Sequence, residues 1–229
     1  MPRPVAVVGD IHGAVDALRL AVSWLDEEWN DDIVFVGDYV NRGPDSKLVL
    51  DELVALKGRW GERLTLLLGN HDAVLLNFLE GESRSRFLHY GGLQTVNSYL
   101  SHIEGWHHAN PMAAFVQHFP DDHFALLRDL SLAYESDDVL VTHAGYNPER
   151  PSSRSSHDVV FGRHAALFAG PLDTPKSVVI CGHYVQRTLT AYVTDNFVCI
   201  DSGCGSVAGA PLSIFTFPDR QLKTFYGER

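Results

Sequence analysis

Residues 33–43 read IVFVGDYVNRG: four apolar residues, a glycine, and then a carboxylate, a carboxamide and a guanidinium crowded into one turn. A turn that merely reversed the chain would gain nothing from Arg42 so close to Asp38. The same layout recurs in VAVVGDIHG from Val5, LTLLLGNHD from Leu64, VLVTHAG from Val139, VVICGH from Val178 and FVCIDSG from Phe197. These are not repeats of fixed period. They are six similar strand exits, and near-continuous apolar runs are how strands read when both faces of a sheet are covered. Open α/β sheets bind ligands beyond the carboxyl ends of their strands. The polar residues of all six exits are therefore expected along one rim.

Helical patterns lie between the exits. After Gly13, the apolar residues Ala17, Leu18, Ala21, Trp24 and Leu25 share one helical face, while Asp26, Glu27 and Glu28 turn to water. Similar spacing runs from Ser46 to Leu56, with Pro44 near its start, and from Asp72 to Leu79 before Gly81. Residues 84–130 read as a mostly helical insertion, interrupted by Gly91–Gly92, Pro111 and Pro120. LTAYVTDNFVCIDSG (189–203) and LSIFTFPDRQLKTFYGE (212–228) each read as strand, polar turn, strand, which predicts antiparallel pairs. Helix-linked strands early and hairpins late predict an α/β fold with two packed mixed sheets flanked by helices, in one domain spanning 1–229. PERPSSRSSHD (148–158) reads as a mobile loop.

Composition removes several classes of function. The 229 residues are 45% hydrophobic and 21% charged, as in a soluble globular protein. No apolar run reaches the roughly 18 residues of a membrane span, and the N-terminal run meets Asp10 too soon for a signal peptide, so a cytoplasmic protein is expected. Cys181, Cys199 and Cys204 are odd in number and lack C-x-x-C spacing, which predicts buried thiols and not disulfides or a thiolate metal site. A formal charge of −11 with no basic stripe argues against nucleic acid as a general ligand. Divalent cations would place positive charge inside a cleft instead, where it would draw an anionic substrate. No G-x-G-x-x-G follows the first strand, which disfavours a nucleotide-cofactor oxidoreductase.

The exits supply, in order, Asp10, His12, Asp38, Asn70, His71, Asp72, His143 and His183. Carboxylate, imidazole and carboxamide without thiolate suit manganese, iron or zinc in a hydrolytic site. So many donors suffice for two ions, and a shared carboxylate can bridge them while they lower the pKa of a bound water. The remaining histidines of the helical insertion, His107, His108, His118 and His123, read as exposed or capping residues.

Taken together, GDIHG, GDYVNRG, GNHD, THAG and GH in this order resemble the calcineurin-like metallophosphoesterases, and among them the bacterial members similar to serine/threonine phosphoprotein phosphatases. The resemblance runs from residue 9 to residue 203. It implies a four-layer αββα sandwich with a dinuclear centre of two divalent ions at the strand ends, manganese in the first place and iron or zinc otherwise. It further implies that Asp10, His12 and Asp38 hold one ion, that Asp38, Asn70, His143 and His183 hold the other, and that Asp38 is the bridge. His71 matches the family's general acid and Arg42 an arginine that clamps the phosphate. Arg163, in VVFGRHAALF, resembles a second phosphate-binding arginine, although FGR stands where relatives carry W-I-R. Asn70 and His71 would also face the phosphate. YGGLQTVNSY (90–99) resembles a segment near the substrate cleft and reads as a specificity element.

One position departs from the family pattern. Relatives read GDYVDRG, where the second aspartate charges the catalytic histidine; here that residue is Asn41. An amide can hold the imidazole by a hydrogen bond but cannot stabilise an imidazolium as a carboxylate does. The chemistry then suits leaving groups that need little protonation, such as aryl phosphates or nucleotide phosphoanhydrides. The leading expectation is a metal-dependent phosphomonoesterase of the serine/threonine protein phosphatase type, acting on a phosphorylated protein or a small phosphoester. The alternative is a dinucleoside tetraphosphate hydrolase. A catalytically silent metal-bound module has only Asn41 in its favour. The oligomeric state is not encoded in any of these features.

Overall fold

The computed structural model describes residues 2–103, 110–170 and 172–227. His107 and His108 lie outside the described residues. The early strands and helices alternate as read: β1 (Val5–Val8), α1 (Val15–Glu28), β2 (Asp32–Phe35), α2 (Ser46–Trp60), β3 (Leu64–Leu66) and α3 (Asn70–Leu79). Among the described residues there follow α4 (Arg84–His89), α5 (Gly92–Leu100), α6 (Pro111–Gln117) and α7 (Asp121–Arg128). The second half comprises β4 (Ala133–Glu135), β5 (Val139–Thr142), the short α8 (Ser156–Val159), β6 (Val178–Cys181), β7 (Tyr192–Val193), β8 (Phe197–Cys199), β9 (Leu212–Phe217) and β10 (Leu222–Phe225).

Among the described residues, ten strands form two mixed sheets, ordered β10-β9-β1-β2-β3 and β4-β5-β6-β8-β7. The pairs β1–β2, β2–β3, β5–β6 and β6–β8 are parallel, so their exits point the same way within each sheet. The two late hairpins, β7–β8 and β9–β10, are antiparallel as the turn residues predict.

Side-chain alternation explains the layering. Val5 and Val7 of β1, Val34 of β2 and Leu67 meet Val139, Val141, Val178, Ile180 and Val198 in a core between the sheets. The intervening residues Ala6, Val8, Ile33 and Phe35 face outward onto Leu18, Leu25, Leu50 and Leu53 of α1 and α2. On the far side, Leu140, Val179, Cys181, Phe197 and Cys199 pack beneath Tyr146 and Leu167, the latter in a 3-10 turn, Ala165–Phe168. The αββα order holds, with the outer layer of the second sheet reduced to short turns. All three cysteines are buried free thiols.

Two expectations are corrected. Residues 148–158 are tied down, because the buried Asp158 carboxylate accepts from Asn147 (3.0 Å), Arg150 (2.9 Å), Ser153 (2.6 Å) and Ser155 (2.9 Å). Those donors, Ser153 first, hold its pKa below the usual carboxylate range. His123 is buried as well, not exposed: the Tyr99 hydroxyl lies 2.8 Å from its Nδ1, and Asp51 Oδ1 lies 3.0 Å from its Nε2. A neutral ring satisfies both, donating to Asp51 and accepting from Tyr99. His118 is exposed and caps the end of α6, as read.

Burial lowers the pKa of His123, outweighing the pull of Asp51 and Asp122, while Lys47 acts with burial. The unfolded chain therefore takes up a proton near pH 6.5 that the folded ring refuses, and stability falls as pH drops through that value. Melting temperatures at pH 7.5 and 5.5 should drop more for the wild type than for His123→Gln. Equal drops would show that this ring does not carry the dependence.

Candidate active site

The turn after β2 is stitched to the start of α3 by one carboxylate. Asp72 accepts from the backbone N–H of Asp38 (2.7 Å), Tyr39 (2.9 Å) and Gly69 (3.1 Å), and Asp38 Oδ1 in return accepts from the His71 N–H (2.9 Å). The backbones approach so closely that a Cβ on Gly37 would strike Gly69, and one on Gly69 would strike Asp38. Both positions therefore require glycine. Asn70 and His71 occupy the first turn of α3, two residues earlier than the helix was expected to begin, and so project into the same cleft as Asp38.

The imidazoles are aimed by backbone carbonyls. His12 Nδ1 donates to Val40 O (2.9 Å) and His143 Nδ1 donates to Val36 O (3.0 Å), which leaves each Nε2 as a lone pair directed at the site. His12 Nε2 lies 3.5 Å from Asp38 Oδ2, and His143 Nε2 lies 3.5 Å from Asp38 Oδ1. His143 Nε2 also stands 3.0 Å from Asn70 Oδ1 and 3.1 Å from His183 Nδ1. An unprotonated nitrogen facing a carbonyl oxygen at 3.0 Å is a pair of acceptors with nothing between them, an arrangement a cation would relieve. Among the described residues, two sets of donors converge closely enough to hold an ion, His12, Asp38 and His71 in one and Asp38, His143 and His183 in the other. Asp38 belongs to both. Asp10 belongs to neither set; its carboxylate accepts from the His183 N–H at 3.2 Å.

Electrostatics agree with a cation site. Burial, then Asp201 and Asp38, raise the pKa of Asp10 well above the usual value, and burial and Asp72 do the same to Asp38. Burial, followed by Arg42, lowers His12 to about 3; burial, followed by Arg163, lowers His183 to about 4. Neutral imidazoles and strained carboxylates are what divalent cations stabilise.

A cavity of about 560 Å³ joins this centre to the residues expected to bind phosphate. It is lined by His12, Asp38, Asn70 and His183, by Arg42, His71 and Arg163, and by His89, Tyr90 and Phe161. Arg42 Nη1 donates to Ser206 Oγ (2.9 Å) and its Nη2 lies 3.1 Å from His71 Nε2. Behind His71, Asn41 Nδ2 lies 3.2 Å from Nδ1, while Thr95 Oγ1 donates to Asn41 Oδ1 (2.8 Å) and accepts from the Asn41 N–H (2.9 Å). Both ring nitrogens of His71 thus face N–H groups, and a neutral ring has one lone pair for two donors. Burial, with His12 and Arg42 after it, pushes the His71 pKa far down, so the ring is neutral.

Of the residues expected at the site, His12, Asp38, Arg42, Asn70, His71, Arg163 and His183 line the cavity, His143 joins the second donor set and Asn41 backs His71, whereas Asp10 belongs to neither donor set and touches the site through the His183 N–H. Thr95, Ser206 and the bracing carboxylate of Asp72 were not foreseen in these roles. Thr95 lies in the YGGLQTVNSY segment already marked as a specificity element, whereas Ser206 carries no signal of its kind.

The family model for calcineurin-like phosphoesterases matches residues 3–187. A serine/threonine-protein phosphatase of Caenorhabditis elegans is 36% identical over 78 residues, covering 34% of this chain and 21% of its own length. The Drosophila melanogaster serine/threonine-protein phosphatase 6 catalytic subunit is 30% identical over 146 residues, 64% of this chain and 41% of its own length. The matches thus span well under half of these curated relatives. A crystal structure described as a diadenosine tetraphosphatase aligns over 99% of this chain and 95% of its own, with a TM-score of 0.66 and 24% identity, a likeness of fold.

Gly69→Ala should destabilise the protein by about 3 kcal/mol or more, since backbone must move on both sides. Thermal unfolding of the two proteins checks this; a loss under about 1 kcal/mol would mean the approach of the two turns is loose.

Proposed function

The chain belongs to the calcineurin-like phosphoesterases, hydrolases of phosphoester bonds, and within that family we propose that it is a metal-dependent phosphomonoesterase of the serine/threonine protein phosphatase kind. The observation that carries this reading is one cavity lined by members of both converging donor sets, His12, Asp38, His71 and His183, together with Arg42 and Arg163. Two divalent ions, manganese first, would be held by His12 and Asp38 together with Asp10, which the family resemblance adds, and by Asp38, His143 and His183 together with Asn70; the converging donor sets around Asp38 support this assignment. When bound, such ions supply a hydroxide near neutral pH by lowering the pKa of a water.

The chain's own groups do the rest. Arg42, released from His71, and Arg163 hold the phosphate oxygens, and bidentate guanidinium contacts stabilise charge that grows in the transition state. Asn70 and His71 border the same oxygens. His71 faces the leaving oxygen as a neutral ring. Donation from the Asn41 amide to Nδ1 puts the ring proton on Nε2, where it serves as a hydrogen bond rather than as a full proton transfer.

A second reading, hydrolysis of a dinucleoside tetraphosphate, draws support from Asn41 and from the full-length fold likeness to the protein described as a diadenosine tetraphosphatase. Rates on a phosphopeptide and on diadenosine tetraphosphate separate the two, and failure to turn over the phosphopeptide would defeat the first. A silent binding module is excluded if manganese-dependent hydrolysis of p-nitrophenyl phosphate is observed and is lost in Asp38→Asn, with an expected drop of at least about a hundredfold.

Asn41→Asp should raise kcat/KM on alkyl phosphates by about tenfold or more while moving aryl phosphates much less, because a carboxylate behind His71 favours the imidazolium. A parallel series of alkyl and aryl esters measures this. Equal effects on both would mean proton supply does not limit the reaction.

A further inference from the structure

Arg42 borders two cavities. One is the active-site space of about 560 Å³; the other, of about 640 Å³, is lined by Pro44, Cys204, Ser206, Val207 and Tyr226 among others. Arg42 is the residue that lines both. Its backbone is fixed, with φ at 66° and the N–H directed to Gly91 O (3.4 Å), but the side chain is long and exposed. Its own rotamers leave it two spaces to enter.

One hydroxyl selects between them. Arg42 Nη1 donates to Ser206 Oγ (2.9 Å), and with Nη1 held there Nη2 stands 3.1 Å from His71 Nε2, inside the active-site cavity. Ser206 can act as a tether because its own loop is fixed. The Gly203 N–H donates to Asp201 Oδ1 (2.9 Å), and the N–H groups of Ser206 and Val207 donate to Gly203 O (3.0 and 2.8 Å). Gly205, at φ 64°, lies so close to the GDIHG turn that a Cβ on it would come within 2.2 Å of His12 O. The loop that supplies the hydroxyl is thus in backbone contact with the turn that supplies His12.

We propose that Ser206 is a positioning residue for the phosphate clamp: its hydroxyl holds Arg42 Nη1 and so keeps Nη2 in the active-site cavity. This rests on the phosphomonoesterase reading above for the role of Arg42, and it names the group that prepares that residue. A guanidinium has five N–H donors, and Ser206 occupies one of them. When phosphate oxygens replace His71 as the partner of Nη2, Nη1 stays on Ser206. Without the hydroxyl the side chain also samples the second cavity, and phosphate binding must then supply the ordering that the tether supplies in advance.

The first test needs no turnover. Calorimetry of inorganic phosphate on manganese-loaded protein should show binding about three- to tenfold weaker in Ser206→Ala and near the wild-type value in Ser206→Thr, which keeps the hydroxyl. The loss must run through the guanidinium, so in an Arg42→Ala background Ser206→Ala should change phosphate affinity by less than about twofold. An equal loss in both backgrounds overturns the proposal, since the loop would then act without Arg42. Tighter phosphate binding in Ser206→Ala overturns it too, because the hydroxyl would be restraining the clamp. Kinetics on p-nitrophenyl phosphate should place the effect in KM more than in kcat. If phosphate affinity follows this pattern but no phosphomonoester turns over, the phosphomonoesterase reading fails and the tether stands. Turnover together with unaltered phosphate affinity in Ser206→Ala has the opposite meaning.

Discussion

The Asp72 carboxylate is the junction on which the site depends. Four backbone N–H groups from two separate strand exits converge on it, those of Asp38, Tyr39 and Val40 after β2 and that of Gly69 before α3. Together with the return bond from the His71 N–H to Asp38 Oδ1, this carboxylate holds the GDYVNRG turn against GNHD, whose strands β2 and β3 run parallel as neighbours in the sheet. Once they are joined, Asp38 faces His71 and Asn70 by construction. The arrangement is electrostatically uncomfortable. Burial pushes Asp72 up to about 7 even though its hydrogen bonds pull it down, and Asp10 and Asp38 are raised as well. A cluster of buried carboxylates with lone pairs of His12 and His143 aimed between them is best understood as half of a structure whose other half is cationic.

Much of this was legible before any coordinates, and the reason is local. A parallel strand buried on both faces leaves a run of valines and isoleucines, so the polar residue at its end is conspicuous; VAVVGD, IVFVGD and VVICGH announce themselves that way. Metal-binding side chains are also few in kind. What escaped were residues whose chemistry is ordinary and whose partners are remote. Thr95 reaches Asn41 across 54 positions and Ser206 reaches Arg42 across 164, and a hydroxyl looks the same whether it meets water or a buried amide. Asp158 and His123 were misjudged for a related reason: a polar segment reads as exposed unless its partners are known, and those partners lie in the folded chain.

Asn41 acts on His71 from behind. The amide is set by Thr95 and Ser46 from beneath, with Ser46 Oγ 3.1 Å from the Asn41 backbone nitrogen and Thr95 Oγ1 2.8 Å from its Oδ1. An amide held this way offers the ring a hydrogen bond but no negative charge to stabilise an imidazolium.

The backbone adds a last constraint on what Asn41 could be. Among the described residues, the non-glycine positions with positive φ are His12, Asp38, Asn41, Arg42, His183, Leu189 and Arg220, and the first five are all site residues. Such conformations cost of order 1–3 kcal/mol each and persist where surrounding bonds over-determine them. Asn41, at φ 69°, has its N–H taken by Thr95 and Ser46, and Arg42, at φ 66°, has its N–H directed to Gly91 O. Asparagine, aspartate and histidine tolerate this region better than other side chains, and a β-branched or bulky one would be a true outlier. The position is therefore open to an amide or a carboxylate but closed to most else, so the two chemistries can be exchanged behind His71 without remaking the turn that holds the site together.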